Sequence, residues 1–508
     1  MVATESQGMM EACTSKGGVH YEGRMSGNPT IVLSLKLLDE RVFPALGILK
    51  VGAVLEQAGH QVEHLDLAGV ENYTSVVEHY CRASTTRTFA LTATTPQMPF
   101  AMPIASTIRK ELPDAQIILG GPHATLVHAA AKAEQDHASR ASRALSALQD
   151  AFSCVVAGDG ERAVFLALES KGIVDADDPK SELWLTSKDF TESPWPARHL
   201  IDVESYHYTI DGERAMHLVA QLGCPFECGF CGGRNSPMLR RIRLRDPQNV
   251  INEMEYLHRN YGIRSAMLND DELNVNKQML PLMYGICNLG LRYGFKWKLR
   301  GFVKAELFTA EQAEALYQAG FRWLLCGFES AHPRILKNIN KKATREDNSR
   351  MLHIAHEHGL RVKALMSFGH PGESEETIMA TRDWLLEEKP DDFDCTIITK
   401  YPGTPYWDRS EQVTGDVYRY TFNGDCLYSR DIDFNVEQAF YKGRPGDYTS
   451  FVWTDYLTPE RLVELRDAVE DAVRTKLKLP YPTAPAPMQF ESSMGQTHIC
   501  RKAAGANA

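Results

Sequence analysis

Apolar and polar positions along this chain follow two rhythms: short β-rich runs, and longer stretches whose apolar residues recur at helical spacing. Between Thr30 and about Gly158 the two alternate. Thr30 to Leu37, Gln61 to Leu67, Phe89 to Thr95, Gln116 to Gly120 and Phe152 to Ala157 read as buried strands, with helical segments such as Leu46 to Ala58 and Met98 to Leu112 between them. The pattern predicts an α/β domain built on a five-stranded, doubly wound, Rossmann-like parallel sheet. Such sheets take ligands at the carboxyl ends of their strands. The loops there are Thr94-Thr95-Pro96-Gln97, Gly120-Gly121-Pro122-His123 and Gly158-Asp159-Gly160-Glu161. Residues 129 to 150, rich in alanine, read as a helical excursion on the surface.

A second series of strand-helix units runs from His217 to Pro405. Its strands fall near His217 to Leu222, Arg264 to Asp270, Phe295 to Phe302, Trp323 to Phe328, Arg361 to Phe368 and Asp394 to Thr399. Six such units predict a partial (βα)6 TIM-like barrel with its site at the strand C-termini. Between the two series lies an acidic, proline-containing connector, including Asp175 to Pro179 and Ser193 to Pro196. Beyond Asp408 a mixed region dense in aromatics, Tyr418 to Tyr456, precedes a helix from Pro459 to Lys478 capped by Thr458. The aromatics fit either a lid that shuts out solvent or ordinary packing against the barrel edge.

The length of 508 residues suggests about three domains, and 43% hydrophobic residues is ample for their cores. A formal charge of -11 argues against a broad nucleic-acid surface, so Arg240, Arg241, Arg243 and Arg245 read as a solvated or anion-contacting edge. No stretch approaches the ~18 apolar residues of a membrane span, and the first 26 residues lack an export core. Eleven cysteines without an export signal fit a reducing, cytoplasmic setting.

Three of those cysteines stand apart. Cys224, Cys228 and Cys231 follow the first barrel strand at C-x3-C-x2-C spacing. Three soft thiolates at that spacing suit three irons of a 4Fe-4S cube and leave one iron without a protein ligand. The alternatives are a zinc site, which wants two pairs of ligands, or three unrelated thiols.

The spacing, with Phe230 before the last cysteine, resembles the radical SAM enzymes. The resemblance implies that the open iron binds S-adenosylmethionine (SAM) and that reductive cleavage yields a 5'-deoxyadenosyl radical. It further implies that Phe230 sits against the adenine, that Asn269, Asp270 and Asp271 serve the methionine amino group, that Arg300 serves the carboxylate or ribose, and that Glu329 serves the ribose hydroxyls. Helix capping is the plainer reading of Asp270 or Asp271, and an ion pair across the barrel mouth that of Arg300 or Glu329. Gly369-His370-Pro371-Gly372-Glu373 and Tyr401-Pro402-Gly403-Thr404-Pro405 resemble the family's turns on the adenine and substrate sides, and for their glycines and prolines a turn role alone is sufficient.

The phrases Pro44-Ala45-Leu46-Gly47, Gly59-His60-Gln61-Val62, Ile118 to Thr125 and Gly158 to Glu161 are similar to the cobalamin-binding domain that precedes many radical SAM cores. By that resemblance Thr94, Thr95, Gln97, Gly120, Gly121, Gly158 and Glu161 hold cobalamin. The D-x-H-x-x-G pattern that supplies a cobalt-ligating histidine is absent, so His123 reads as a loop or packed residue. The domain could equally be a bare scaffold. The resulting division is a leader at 1–26, a cobalamin-binding domain at 27–170, a linker at 171–205, a radical SAM core at 206–410, a substrate or lid region at 411–480 and a disordered tail at 481–508.

The resemblance implies a cobalamin-dependent radical SAM C-methyltransferase using a 4Fe-4S cluster, SAM and methylcobalamin on a small-molecule substrate. An external one-electron donor such as flavodoxin or ferredoxin is expected, with neither nucleic acid nor membrane as partner. Antibiotic-type biosynthesis is the expected setting, and no catalytic side chain is assigned. The alternatives are a non-methylating member that forms or rearranges rings, and an iron-sulfur or cobalamin carrier or sensor that does not cleave SAM.

Overall fold

The computed structural model describes residues 30–34, 42–134, 139–437, 439 and 448–481. The expected leader and nearly all of the expected tail, with Cys13, Cys500, Phe440 and Tyr441, lie outside the described residues.

The first sheet has strands β1 (Thr30–Ser34), β2 (Gln61–His64), β3 (Thr88–Thr92), β4 (Gln116–Gly120), β5 (Cys154–Gly158) and β6 (Gly172–Ala176). Their order is β2-β1-β3-β4-β5-β6, with every pairing parallel. The central run Ile117-Ile118-Leu119 is buried on both faces, as a parallel strand between helical layers must be. One face packs on a cluster around Leu91, Ile104 and Leu119, the other on Ile118, Val156 and Val164. The sheet has six strands rather than five. Gly172-Ile173-Val174-Asp175-Ala176 pairs parallel to β5, and its acidic C-terminal end hid a short edge strand inside the expected linker.

The described part of residues 129 to 150 is helical, as expected, but not wholly on the surface. It comprises the end of helix Pro122–Ala133 and helix Arg140–Ala151, which leads into β5, with Ala141 and Leu148 buried. Arg140 reaches out of that helix to lie over the rings of Trp407 and Tyr418, at 3.7 Å and 3.9 Å, and donates to the Trp407 carbonyl at 2.6 Å.

The second sheet begins with β7 (Thr209–Ile210) and β8 (Glu213–Leu218). A small antiparallel hairpin of β9 (Gln221–Leu222) and β10 (Arg243–Leu244) then encloses the cysteine loop. Strands β11 (Ser265–Leu268), β12 (Lys298–Phe302), β13 (Phe321–Glu329), β14 (Arg361–Phe368) and β15 (Asp392–Ile397) complete the sheet, in the order β15-β14-β13-β12-β11-β8-β7. All pairings except that of β7 with β8 are parallel, giving the expected six-unit half-barrel. Its outer helices carry strong punctuation. Helix Pro247–Tyr261 starts where the Asp246 carboxylate accepts from the N–H groups of Gln248 and Asn249, and it stops at Gly262 in the left-handed region.

The aromatic region forms an antiparallel sheet, β16 (Glu411–Thr414), β17 (Val417–Phe422), β18 (Asp425–Arg430) and β19 (Val452–Thr454), followed by helix Pro459–Leu477 capped by Thr458. Tyr418, Tyr420, Phe434 and Tyr448 are buried, and Tyr420 and Tyr448 join the barrel core.

Candidate functional site

The cysteine loop is built by close backbone contacts. Gly223 opens it with φ +87°, where a Cβ would collide with the Arg241 carbonyl across the β9–β10 hairpin. The Cys224 N–H donates to Leu239 O at 3.0 Å, the Gly229 N–H to Ile339 O at 2.7 Å and the Cys231 N–H to Cys228 O at 3.1 Å. Arg234 crosses the loop, donating to Cys224 O at 3.3 Å and approaching Cys231 Sγ at 3.8 Å. Cys228 is buried against Ile335 and Ile339.

Burial pushes the Cys231 thiol up to about 12, Cys228 and Cys224 add to the rise, and Arg234 opposes it. The three sulfurs therefore share one electrostatic environment. Among the described residues no three His, Cys, Asp or Glu side chains already converge as an ion's ligands do. Three soft donors in one tight loop still fit an iron-sulfur cube, whose positive irons stabilise thiolates.

Around that loop the predicted SAM residues separate. Asp271 and Glu272 face it, and their charges raise the Cys224 thiol after the larger effect of burial. Asp270 is turned away from it. Its Oδ1 accepts the Ala220 N–H at 2.7 Å, and burial lifts its carboxyl to about 7. This carboxyl braces the turn after β8 rather than capping a helix. Arg300 is buried lower in the barrel, where it donates to the Tyr208 hydroxyl at 3.2 Å and lies over Trp323.

Glu329 ends β13 with φ +64°, rare for a side chain with a Cβ. Its Oε1 accepts from Lys341 Nζ at 3.1 Å and its Oε2 from Ser367 Oγ at 2.6 Å. Despite the opposing cost of burial, these contacts hold the Glu329 carboxyl below its usual range. The chain of contacts continues from Ser367 to His370 Nε2 at 2.8 Å and from His370 Nδ1 to the Tyr406 hydroxyl at 3.2 Å. Tyr406 returns to the loop, donating its N–H to Gly229 O at 3.0 Å. Phe230 lies edge-on to the His370 ring, with centroids 5.5 Å apart. Sequence reasoning missed Arg234, Glu272, Lys341, Ser367 and Tyr406. It also gave the His370 side chain no role, since nothing local marks a side chain whose partners come from other strands.

A cavity of about 760 Å³ opens between the two sheets. All seven residues expected to hold cobalamin line it: Thr94, Thr95, Gln97, Gly120, Gly121, Gly158 and Glu161. The barrel supplies the facing wall with His217, Leu222, Gly232, Arg245, Asn269 and Tyr401. Asn269, expected beside SAM, thus stands with the cobalamin residues. Several polar groups of the first sheet have local duties. Gln97 Oε1 accepts from Thr94 N–H and hydroxyl, and Glu161 pairs with Lys50 at 3.2 Å. His123 is a packed residue, bonded to Thr95 Oγ1 at 3.0 Å and held down to about 4 by burial. Gly121 and Gly158 have φ of +94° and +97°, and a Cβ on either would strike the neighbouring strand's loop. The cavity can accommodate a large ligand with polar edges.

The arginine run proves anion-contacting. Arg243 is buried against Asp159, and Arg245 donates to buried Glu253 at 2.7 Å. The Asp159–Arg243 pair joins the loop after β5 directly to the hairpin that carries the cysteines.

A parallel sheet with ligand-type loops set against a half-barrel that carries three cysteines in one loop is the arrangement of an enzyme that holds an iron-sulfur cluster beside a second, larger cofactor. Residues 218–385 match the radical SAM superfamily and residues 40–149 the B12-binding domain. The chain belongs to the cobalamin-dependent radical SAM enzymes, and its cofactors are a 4Fe-4S cluster, SAM and cobalamin. An uncharacterized methyltransferase of Pyrococcus horikoshii is 25% identical over 369 residues, 72% of this chain and 78% of that protein. An anaerobic magnesium-protoporphyrin IX monomethyl ester cyclase of Cereibacter sphaeroides is 24% identical over 405 residues, 75% of this chain but only 63% of that protein. The same fold occurs in the radical SAM methyltransferase TsrM of Kitasatospora setae, solved with tryptophan and a SAM analogue. That match has a TM-score of 0.60, 18% identity and 89% coverage of each chain. No helix among the described residues is long and apolar enough to cross a membrane.

Proposed function

We propose that this enzyme is a C-methyltransferase acting on a small molecule in specialised, antibiotic-type biosynthesis. The observation that carries the reading is the single cavity shared by the two sheets. The residues expected to hold the corrin share that cavity with Asn269 and with Gly232, the neighbour of Cys231, so a substrate carbon held there would lie close to the cysteine loop as well as to the corrin. When bound, the cluster and SAM supply hydrogen abstraction, and cobalamin supplies methyl transfer. The chain holds the cluster with Cys224, Cys228 and Cys231, presents Asp271, Glu272 and Glu329 to SAM, and excludes water with the packed Phe230, His370 and Tyr406.

The methyltransferase names of relatives support this reading. A second reading, ring formation without methyl transfer, has the cyclase relatives in its favour. Anaerobic turnover with an external flavodoxin or ferredoxin as electron donor separates the two. S-adenosylhomocysteine formed alongside 5'-deoxyadenosine supports methylation, and 5'-deoxyadenosine alone supports the cyclase-type reaction. If reduced, cluster-loaded enzyme produces neither, both readings fail and a carrier or sensor remains.

A further inference from the structure

The barrel wall of the shared cavity carries an amide whose orientation is dictated by its neighbours. His217, near the end of β8, is buried, with Nε2 2.6 Å from the Pro44 carbonyl oxygen. A carbonyl only accepts, so Nε2 holds the proton, and with the ring in its neutral tautomer Nδ1 is an acceptor. The Phe43 ring, 5.0 Å away, helps fix the imidazole plane. Nδ1 meets Asn269 at 2.8 Å, and only the amide Nδ2 can donate there. The backbone of Asn269 is pinned as well, its N–H donating to Leu218 O at 2.8 Å.

These contacts leave Asn269 one orientation. Its Oδ1 is buried and accepts no hydrogen bond among the described residues, while the side chain lines the cavity. A buried amide oxygen needs a donor from water or from a ligand, and this one stands on the wall of a cavity large enough for a ligand. The seven residues of the opposite wall are those expected to hold cobalamin. A corrin ring bears primary amides around its edge, each with N–H donors.

We propose that Asn269 Oδ1 accepts an N–H of a corrin side-chain amide, and that His217 is a positioning residue that aims it. The inference deepens the functional reading above and rests on the corrin occupying this cavity. It departs from the sequence motif, which gives Asn269 to the amino group of SAM.

The test titrates hydroxocobalamin into anaerobically reconstituted, cobalamin-free full chain, followed by visible absorption. SAM cleavage to 5'-deoxyadenosine and iron content are measured on the same preparations. Asn269→Ala and Asn269→Leu raise the hydroxocobalamin Kd about tenfold at wild-type iron content. His217→Phe raises it similarly, and adding Asn269→Ala to His217→Phe raises it no more than about twofold further, because the two residues act as one unit. A His217 that merely supports the fold would give additive losses instead. An unchanged Kd in both Asn269 variants overturns the proposal. So does an unchanged Kd with impaired SAM cleavage, which would return the amide to SAM. Because the titration needs no turnover, a wild-type enzyme that binds hydroxocobalamin but never methylates would count against the functional reading alone.

Discussion

Tyr406 donates its backbone N–H to the carbonyl of Gly229, and its ring fills the space where a Gly229 side chain would stand. The cysteine loop is thus moulded on a residue that follows the sixth barrel strand. A Cβ at position 229 would fall inside the tyrosine ring.

Gly229→Ala should therefore disturb the loop from its core side, at a cost of roughly 1–3 kcal/mol for an overpacked contact. The variant is expected to bind less iron per chain after anaerobic reconstitution and to melt at a lower temperature. Cys228→Ala should give a different signature, with iron and sulfide lost and the apo-protein melting temperature nearly unchanged. Equal behaviour of the two variants would contradict the assignment.

Glu329 and Lys341 form a buried pair at 3.1 Å. Removing one partner strands the other charge, so Glu329→Gln or Lys341→Met should each cost roughly 3–5 kcal/mol. The double variant should lose less than the sum of the singles, as read from a double-mutant cycle in denaturant unfolding. Strict additivity would show that the charges do not depend on one another.

His123 gives the first sheet a pH dependence of definite sign. Its folded value of about 4 lies below the 6.5 of an exposed imidazole, so the folded state binds fewer protons between those limits. Stability is complete above pH 6.5 and falls as pH drops toward 4, by up to roughly 3 kcal/mol from this residue. His123→Gln should flatten the unfolding free energy over that window. A variant with the wild-type slope would exclude His123 as the source.

Arg140 is held between Trp407 and Tyr418, which fixes the crossover helix to the C-terminal sheet. Arg140→Ala should cost roughly 2–3 kcal/mol through lost stacking and the lost bond to Trp407 O. Arg140→Lys should recover little, because an ammonium cannot stack between two rings. Thermal unfolding of the two variants decides this, and full recovery by lysine would show that charge alone matters.

The alternation of apolar runs was enough to place most strands of both parallel sheets along the chain, because parallel strands buried on two faces leave continuous apolar segments such as Ile117 to Leu119. It missed Gly172–Ala176, where a short edge strand carries an acidic residue near its end, and it set the helix Arg140–Ala151 on the surface although Ala141 and Leu148 are buried. The cysteine spacing was legible because all three ligands share one loop. Asn269, Asp270 and Asp271 are consecutive yet face a cavity, a backbone turn and the cysteine loop respectively. No local pattern separates those three directions, which are set by β8, the hairpin and Pro44. The Glu329–Ser367–His370–Tyr406 chain was hidden for the same reason, since its members come from three different units of the barrel.

The seam formed by Pro44 with His217 and by Asp159 with Arg243 constrains how such an enzyme can diversify. Both contacts are made by one half of the molecule upon the other, at the rim where the two reagents must meet. Exchanging either half for that of a distant relative would bring together surfaces shaped for other partners, so the pair must be inherited and altered together. Variation is freer in the exposed parts of the C-terminal sheet, which touch neither contact.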